Sequence, residues 1–199
     1  MTRRQTLLAI GGVAVVIAGI PLGWSAWTAL RFPSDKTPEG CYLRIALAFS
    51  RSRVQDCFAY LETGSQHALY AIHASRKESL ARIRASFEEP ERTRLLEAYG
   101  PEGDAADPAD CFVVMARQRG WDARLRRDLS GIRGVEVVGD RATIETAQGT
   151  RYPFRRGDDG LWGLTIFTAD LVAHRDRTAR DLVVVQKAAE AYDRAKAGK

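Results

Sequence analysis

An uncharged run, "LLAIGGVAVVIAGIPLGWSAWTAL", extends from Leu7 to Leu30 directly after "MTRRQT". As a helix it is long enough to cross a bilayer core of about 30 Å, so it divides the chain before any other feature does. A water-soluble domain has to be built from what comes after it. The competing reading is a cleaved export signal, whose apolar core is shorter and ends in small residues at the cleavage site. Here Ala26 and Ala29 are each preceded two residues back by a tryptophan, Trp24 and Trp27, which suits an aromatic belt at the lipid-water interface. Residues 1–30 are therefore expected to be a retained transmembrane anchor, with Arg3 and Arg4 holding the amino end in the cytoplasm. On that reading the chain is expected to be a single-pass protein of the bacterial inner membrane with its C-terminal domain in the periplasm.

Two prolines, a glycine and mixed charges in "RFPSDKTPEG" mark residues 31–37 as a linker, and residues 38–199 as one domain. With 45% hydrophobic residues the chain has enough apolar surface for a core. Its first part has helical spacing. Leu43, Leu47, Val54, Cys57 and Leu61 fall on one side of an expected helix that Gly64 ends, and a second helix from Ser65 would bury Leu69, Ile72, Leu80, Ile83 and Phe87. Pro90 opens a shorter helix ending at Gly100 and Pro101, Asp107 caps one that runs through Phe112, Met115 and Ala116, and "WDARLRRDL" follows Gly120.

Beyond Ser130 the apolar period falls to two. Val135 and Val137, Ala142 and Ile144, Tyr152 and Phe154, then Trp162, Leu164 and Ile166 alternate with polar or small neighbours, and "VGDR", "AQGT" and "GDDG" separate them. The pattern predicts a four-stranded antiparallel meander with one apolar face. Thr168 is expected to cap a long final helix on which Leu182, Val185, Ala189 and Tyr192 recur, with Arg175 interrupting the register upstream. Helices, a meander and a last helix define an α+β domain with helices against one sheet face.

The segment "VEVVGDRATIETAQGTRYPFRRGDDGLWGLTIF" resembles the C-terminal sheet of the nuclear-transport-factor-2-like superfamily, through Phe154, the Asp159-Gly160 turn and Trp162. The resemblance implies a curved sheet whose concave face can enclose a small-molecule pocket, and in some relatives an isomerase or dehydratase site. No residue of this sequence matches a catalytic motif of that family, so none is carried over.

Few chemistries have the residues they need. Of the three histidines, His67 and His73 do not form the i, i+4 pair of a helical zinc site, and His174 lies on another helix. The three cysteines show no CxxC spacing. Neither a metal centre nor a cofactor is expected, and no GxSxG, Walker loop or GxGxxG is present. Outside the cytoplasm a disulfide becomes possible. Cys41 and Cys57 in one helix would be about 24 Å apart at about 1.5 Å per residue, so Cys111 would take one of them, and Cys57 is the preferred partner. The acidic pairs Glu88-Glu89 and Asp158-Asp159 read as turn formers.

The formal charge of +5 falls to +3 once Arg3 and Arg4 are set aside, and the remaining basic residues are scattered, so nucleic acid is not expected as a partner. What remains is a membrane-anchored, noncatalytic domain binding a protein or small ligand. Tyr152, Phe154, Trp162 and Leu164 share one face, which either closes a core or lines a pocket. An enzyme using that pocket, and an assembly component docking through the last helix, are the alternatives.

Overall fold

The computed structural model describes residues 33–198. The expected anchor over residues 7–30 lies outside them, and no helix among the described residues is long and apolar enough to cross a membrane. The first described helix, α1 (Pro38–Ser50), starts where Thr37 Oγ1 accepts from the Gly40 amide at 3.1 Å and Pro38 takes the first turn. The helix ends sooner than its spacing suggests. Ser52 has a φ of 59°, the Arg53 amide turns back to the Ala48 carbonyl at 2.8 Å, and Arg126 donates to the Phe49 carbonyl at 3.0 Å. A 3-10 helix, Val54–Tyr60, follows as a separate element.

That break corrects the expected single helix. On α1 the core side carries Tyr42, Ile45 and Phe49, whereas Leu47 is 36% exposed. Apolar residues occur on both sides of this helix, so its spacing alone left the choice of face open. Val54, Cys57 and Leu61 do reach the core, but from the 3-10 helix and its end.

Helix α2 (Thr63–Ser86) includes the expected stop residue Gly64, and it buries Leu69, Ile72, Leu80 and Ile83 as its spacing requires. Helix α3 (Glu91–Gly103) carries Pro101 inside it and runs past the expected end. Its last turn lies against α2 so closely that a Cβ on Gly103 would stand 2.5 Å from Leu80 Cδ1 and 2.9 Å from the Arg76 carbonyl oxygen. Helices α4 (Pro108–Gln118), capped by Asp107 through the Asp110 amide, and α5 (Trp121–Asp128) stand where the sequence places them.

Strands β1 (Ile132–Val138), β2 (Arg141–Thr146), β3 (Arg151–Arg156) and β4 (Trp162–Leu164) form one antiparallel sheet in the order β1-β2-β3-β4. Its register pairs Ala142 with Phe154, Ile144 with Tyr152, and Phe154 with Leu164. Beyond β4 the Glu62 amide donates to the Leu164 carbonyl at 3.1 Å, so the chain entering α2 extends that edge. At the other edge Val137 pairs with Ala142 yet is 53% exposed, because the helices do not extend over that end of β1.

The last helix, α6 (Thr168–Ala197), packs along α2. Thr168 does not cap it. Its hydroxyl instead donates to Glu62 Oε2 at 2.6 Å and meets Ser65 Oγ at 2.8 Å, tying the starts of α2 and α6 together. The molecule is thus α+β, with two apolar clusters. The larger lies between the sheet and α1, α4, α5 and the first turns of α2 and α6; the smaller gathers Ile83, Phe87, Val185 and Ala189, with Leu95, Tyr99 and Tyr192 against them.

Candidate functional site

The aromatic sheet face is core. Tyr152, Phe154, Trp162 and Leu164 are buried, and Tyr42 packs on Tyr152 with ring centroids 5.7 Å apart. The Tyr42 hydroxyl donates to the Ser130 carbonyl at 2.6 Å and the Trp162 indole donates to the Lys36 carbonyl at 3.2 Å, so the polar ends of these rings are also satisfied. The indole contact holds the beginning of the domain against β4.

Cys41, Cys57 and Cys111 are buried free thiols. The expected bridge between Cys57 and Cys111 is therefore not formed in this structure. The helical-rise argument that separated Cys41 from Cys57 also lapses, because the chain turns at residues 51–53 between them. Burial pushes the Cys41 thiol up to about 11, and those of Cys57 and Cys111 up to about 12. At neutral pH these groups stay protonated, the weakly nucleophilic form.

The histidines go three ways. His67 is exposed. His73 is buried, and its Nε2 donates to the Ala105 carbonyl at 2.9 Å. His174 enters a cluster that the sequence did not single out. Its Nε2 lies 2.8 and 3.0 Å from the two oxygens of Glu102, Arg76 Nε donates to Glu102 Oε2 at 3.0 Å, and Arg76 Nη1 donates to Asp181 Oδ2 at 2.8 Å. Burial raises the Glu102 carboxyl, but the hydrogen bonds and charges of His174 and Arg76 together outweigh it and hold the group below its ordinary value. A signal for the cluster was present. Arg76 stands in the apolar spacing Leu69, Ile72, Leu80, Ile83, and His174 and Thr178 continue the spacing of Leu171 toward Val185. Arg175 therefore does not break the register of α6; polar residues carry it.

Concave surface lies elsewhere among the described residues. A cleft of about 460 Å³ opens between the turn joining β3 to β4 and the start of α2, lined among others by Glu62, Gln66, Asp140, Arg155, Asp158 and Trp162. The two walls meet closely. A Cβ on Gly163 would lie 2.5 Å from Glu62 Cα, so only glycine lets β4 approach the chain entering α2. Arg155 donates to Asp140 Oδ2 at 3.1 Å and stands 3.6 Å from Glu62 Oε1. Asp159 accepts from the Leu161 amide at 2.9 Å as a turn former, while Arg156 and Asp158 extend the charged rim.

Among the described residues no group of histidine, cysteine and acidic side chains is arranged to hold a metal ion. No protein-family model, curated protein or solved structure matches the chain. The resemblance to nuclear-transport-factor-2-like domains accordingly rests on Phe154, Asp159-Gly160 and Trp162 alone.

Proposed function

We propose that the chain is a membrane-anchored recognition domain acting outside the cytoplasm, and that it binds its ligand without transforming it. The apolar run from Leu7 to Leu30 supports the anchored half of this reading. The binding half rests on one observation, the open charged cleft beside Trp162. Its carboxylates and guanidiniums can form charge-assisted hydrogen bonds to a polar small molecule or an extended protein segment. The alternative of an enzyme pocket in the sheet gains no support from Tyr152, Phe154, Trp162 and Leu164, which are packed under the helices.

The test is a ligand-detected thermal-shift screen on the full chain in detergent micelles, where a ligand that binds the folded state raises the melting temperature by mass action. Hits should lose their shift in Asp158→Asn and Arg156→Gln without a change in the unliganded melting temperature. Hits that persist in both variants would place binding elsewhere, and conversion of a hit into product would overturn the noncatalytic reading. A reporter fused at the carboxy end checks the topology, and a released chain beginning after Ala26 or Ala29 would remove the anchor.

One observation favours a second reading, docking through α6. Val183 and Val184 are 48% and 66% exposed beside Val185 at 3%. Replacing Val183 and Val184 with aspartate should then abolish capture of a partner while folding is retained. Leu182 and Val185 cannot serve in that test, because Val185 belongs to the smaller core.

A further inference from the structure

From Leu69 onward the buried side chains of α2 are Leu69 and Ile72, then His73, Arg76 and Ser79, then Leu80, Ile83 and Ser86; along α6 they are Leu171, then His174 and Thr178, then Val185 and Ala189. A polar layer therefore interrupts both helices between the larger and the smaller apolar cluster. Glu102 reaches this layer from α3, where Tyr99 also places its ring 4.1 Å from the Arg76 guanidinium carbon. We propose that this layer is an acid-sensitive latch: it holds the distal parts of α2, α3 and α6 closed, and neutralising its carboxylates opens them while the sheet and the larger core stay folded.

The charge arrangement gives the direction. Arg76 on α2 bonds Glu102 on α3 and Asp181 on α6. Arg177 on α6 donates to His174 Nδ1 at 3.4 Å, and Arg119, at the end of α4, lies in the field of Glu102, Arg177, Asp170 and the Cys111 thiol. Of these guanidiniums Arg76 is buried, Arg119 half-buried and Arg177 exposed, and Glu102 is the buried carboxylate that Arg76 and His174 share. With Nδ1 accepting from Arg177, Nε2 carries the proton donated to Glu102, and a proton added at Nδ1 would keep that bond while ending the one from Arg177. Protonating Glu102 is different. It removes the anion shared by His174 and Arg76 and leaves the buried Arg76 guanidinium with the half-exposed Asp181 alone.

The distal part is the one that should yield. Its buried apolar residues are Ile83, Phe87, Val185 and Ala189, whereas the larger core is closed by Phe49, Phe112, Phe154 and Phe167 among many others. Cooperative units with few buried apolar contacts open at lower free energy than the rest of a fold.

Native-state hydrogen exchange on the full chain in detergent micelles, corrected for intrinsic exchange rates, tests the latch from about pH 7 to about pH 4. Protection around Ile83–Phe87 and Val185–Ala189 should fall on the order of tenfold more than protection in β2 and β3. Glu102→Gln should show low distal protection already at neutral pH, with little further change on acidification. Should that variant fail to fold, the pair Arg76→Met with Glu102→Leu replaces the ions by apolar groups, and it should fold with distal protection independent of pH. Equal loss of protection in the two regions, or an unchanged pH response in whichever variant folds, would overturn the proposal.

Discussion

The sheet side and the distal end of the α2–α6 pair are both hydrophobic clusters, yet they are closed by different means. Under the sheet, large rings from β3, β4, α1, α4, α5 and Phe167 just before α6 interlock, and Trp121 stacks on Phe167 with centroids 4.6 Å apart. Their polar atoms go to backbone carbonyls such as those of Ser130 and Lys36. At the distal end Phe87 and Tyr192 pack 5.0 Å apart over a smaller group, and ions bound to one another separate this group from the rest. Burial on the sheet side is worth about 1.5 to 3 kcal/mol per large side chain whatever the pH. The distal end depends in addition on charges being present and matched.

The largest effect should come from the sheet side. Trp162→Ala removes a ring that is 5% exposed and should destabilise the protein by about 3 to 5 kcal/mol in denaturant titrations. Wild-type stability combined with loss of a ligand would make Trp162 a cleft wall first and a core residue second. Arg76→Met sharpens the other half, since it leaves the buried Glu102 without its guanidinium partner and should cost about 3 kcal/mol or more. Adding Glu102→Leu should recover most of that loss, and a double-mutant cycle reads the coupling. A loss that the second change deepens would mean that packing, and not charge, carries the layer.

Gly103→Ala probes how tightly α3 lies on α2. The added methyl would meet the Arg76 backbone as well as the flexible end of Leu80, so a loss of about 1 to 3 kcal/mol is expected from the melting curve. Smaller, and set by pH, is the contribution of Glu102 itself. Its folded value lies below the ordinary 4.5, so the stability it adds is present above the unfolded value and is lost as pH falls through the folded one. Glu102→Gln should flatten the acid limb of the stability profile, and an unaltered limb would assign that limb to other carboxylates.

Much of the architecture was legible in the pattern of side chains. The four strands and their turns follow from alternation between residues 132 and 164, and Asp107 caps α4 as its position before Pro108 suggests. Other local readings failed for local reasons. Pro101 continues α3 because a helix can tolerate one missing amide when packing holds it, and α1 stops at Ser50 because the chain turns back and Arg126 from α5 binds that end. The cleft was less legible still. Glu62, Asp140 and Arg155 are ordinary surface residues until the sheet register brings them together.

The sequence by itself determined the order and type of the elements other than the 3-10 helix, and which apolar residues could be buried, because periodicity is a property of neighbouring residues. Only the tertiary structure decided which polar residues are buried. Arg76, Glu102, His174 and Asp181 are separated by 26 residues from Arg76 to Glu102, 72 from Glu102 to His174 and 105 from Arg76 to Asp181. A charge can enter the interior only when its partner arrives there too, and that pairing exists only once α2, α3 and α6 have packed.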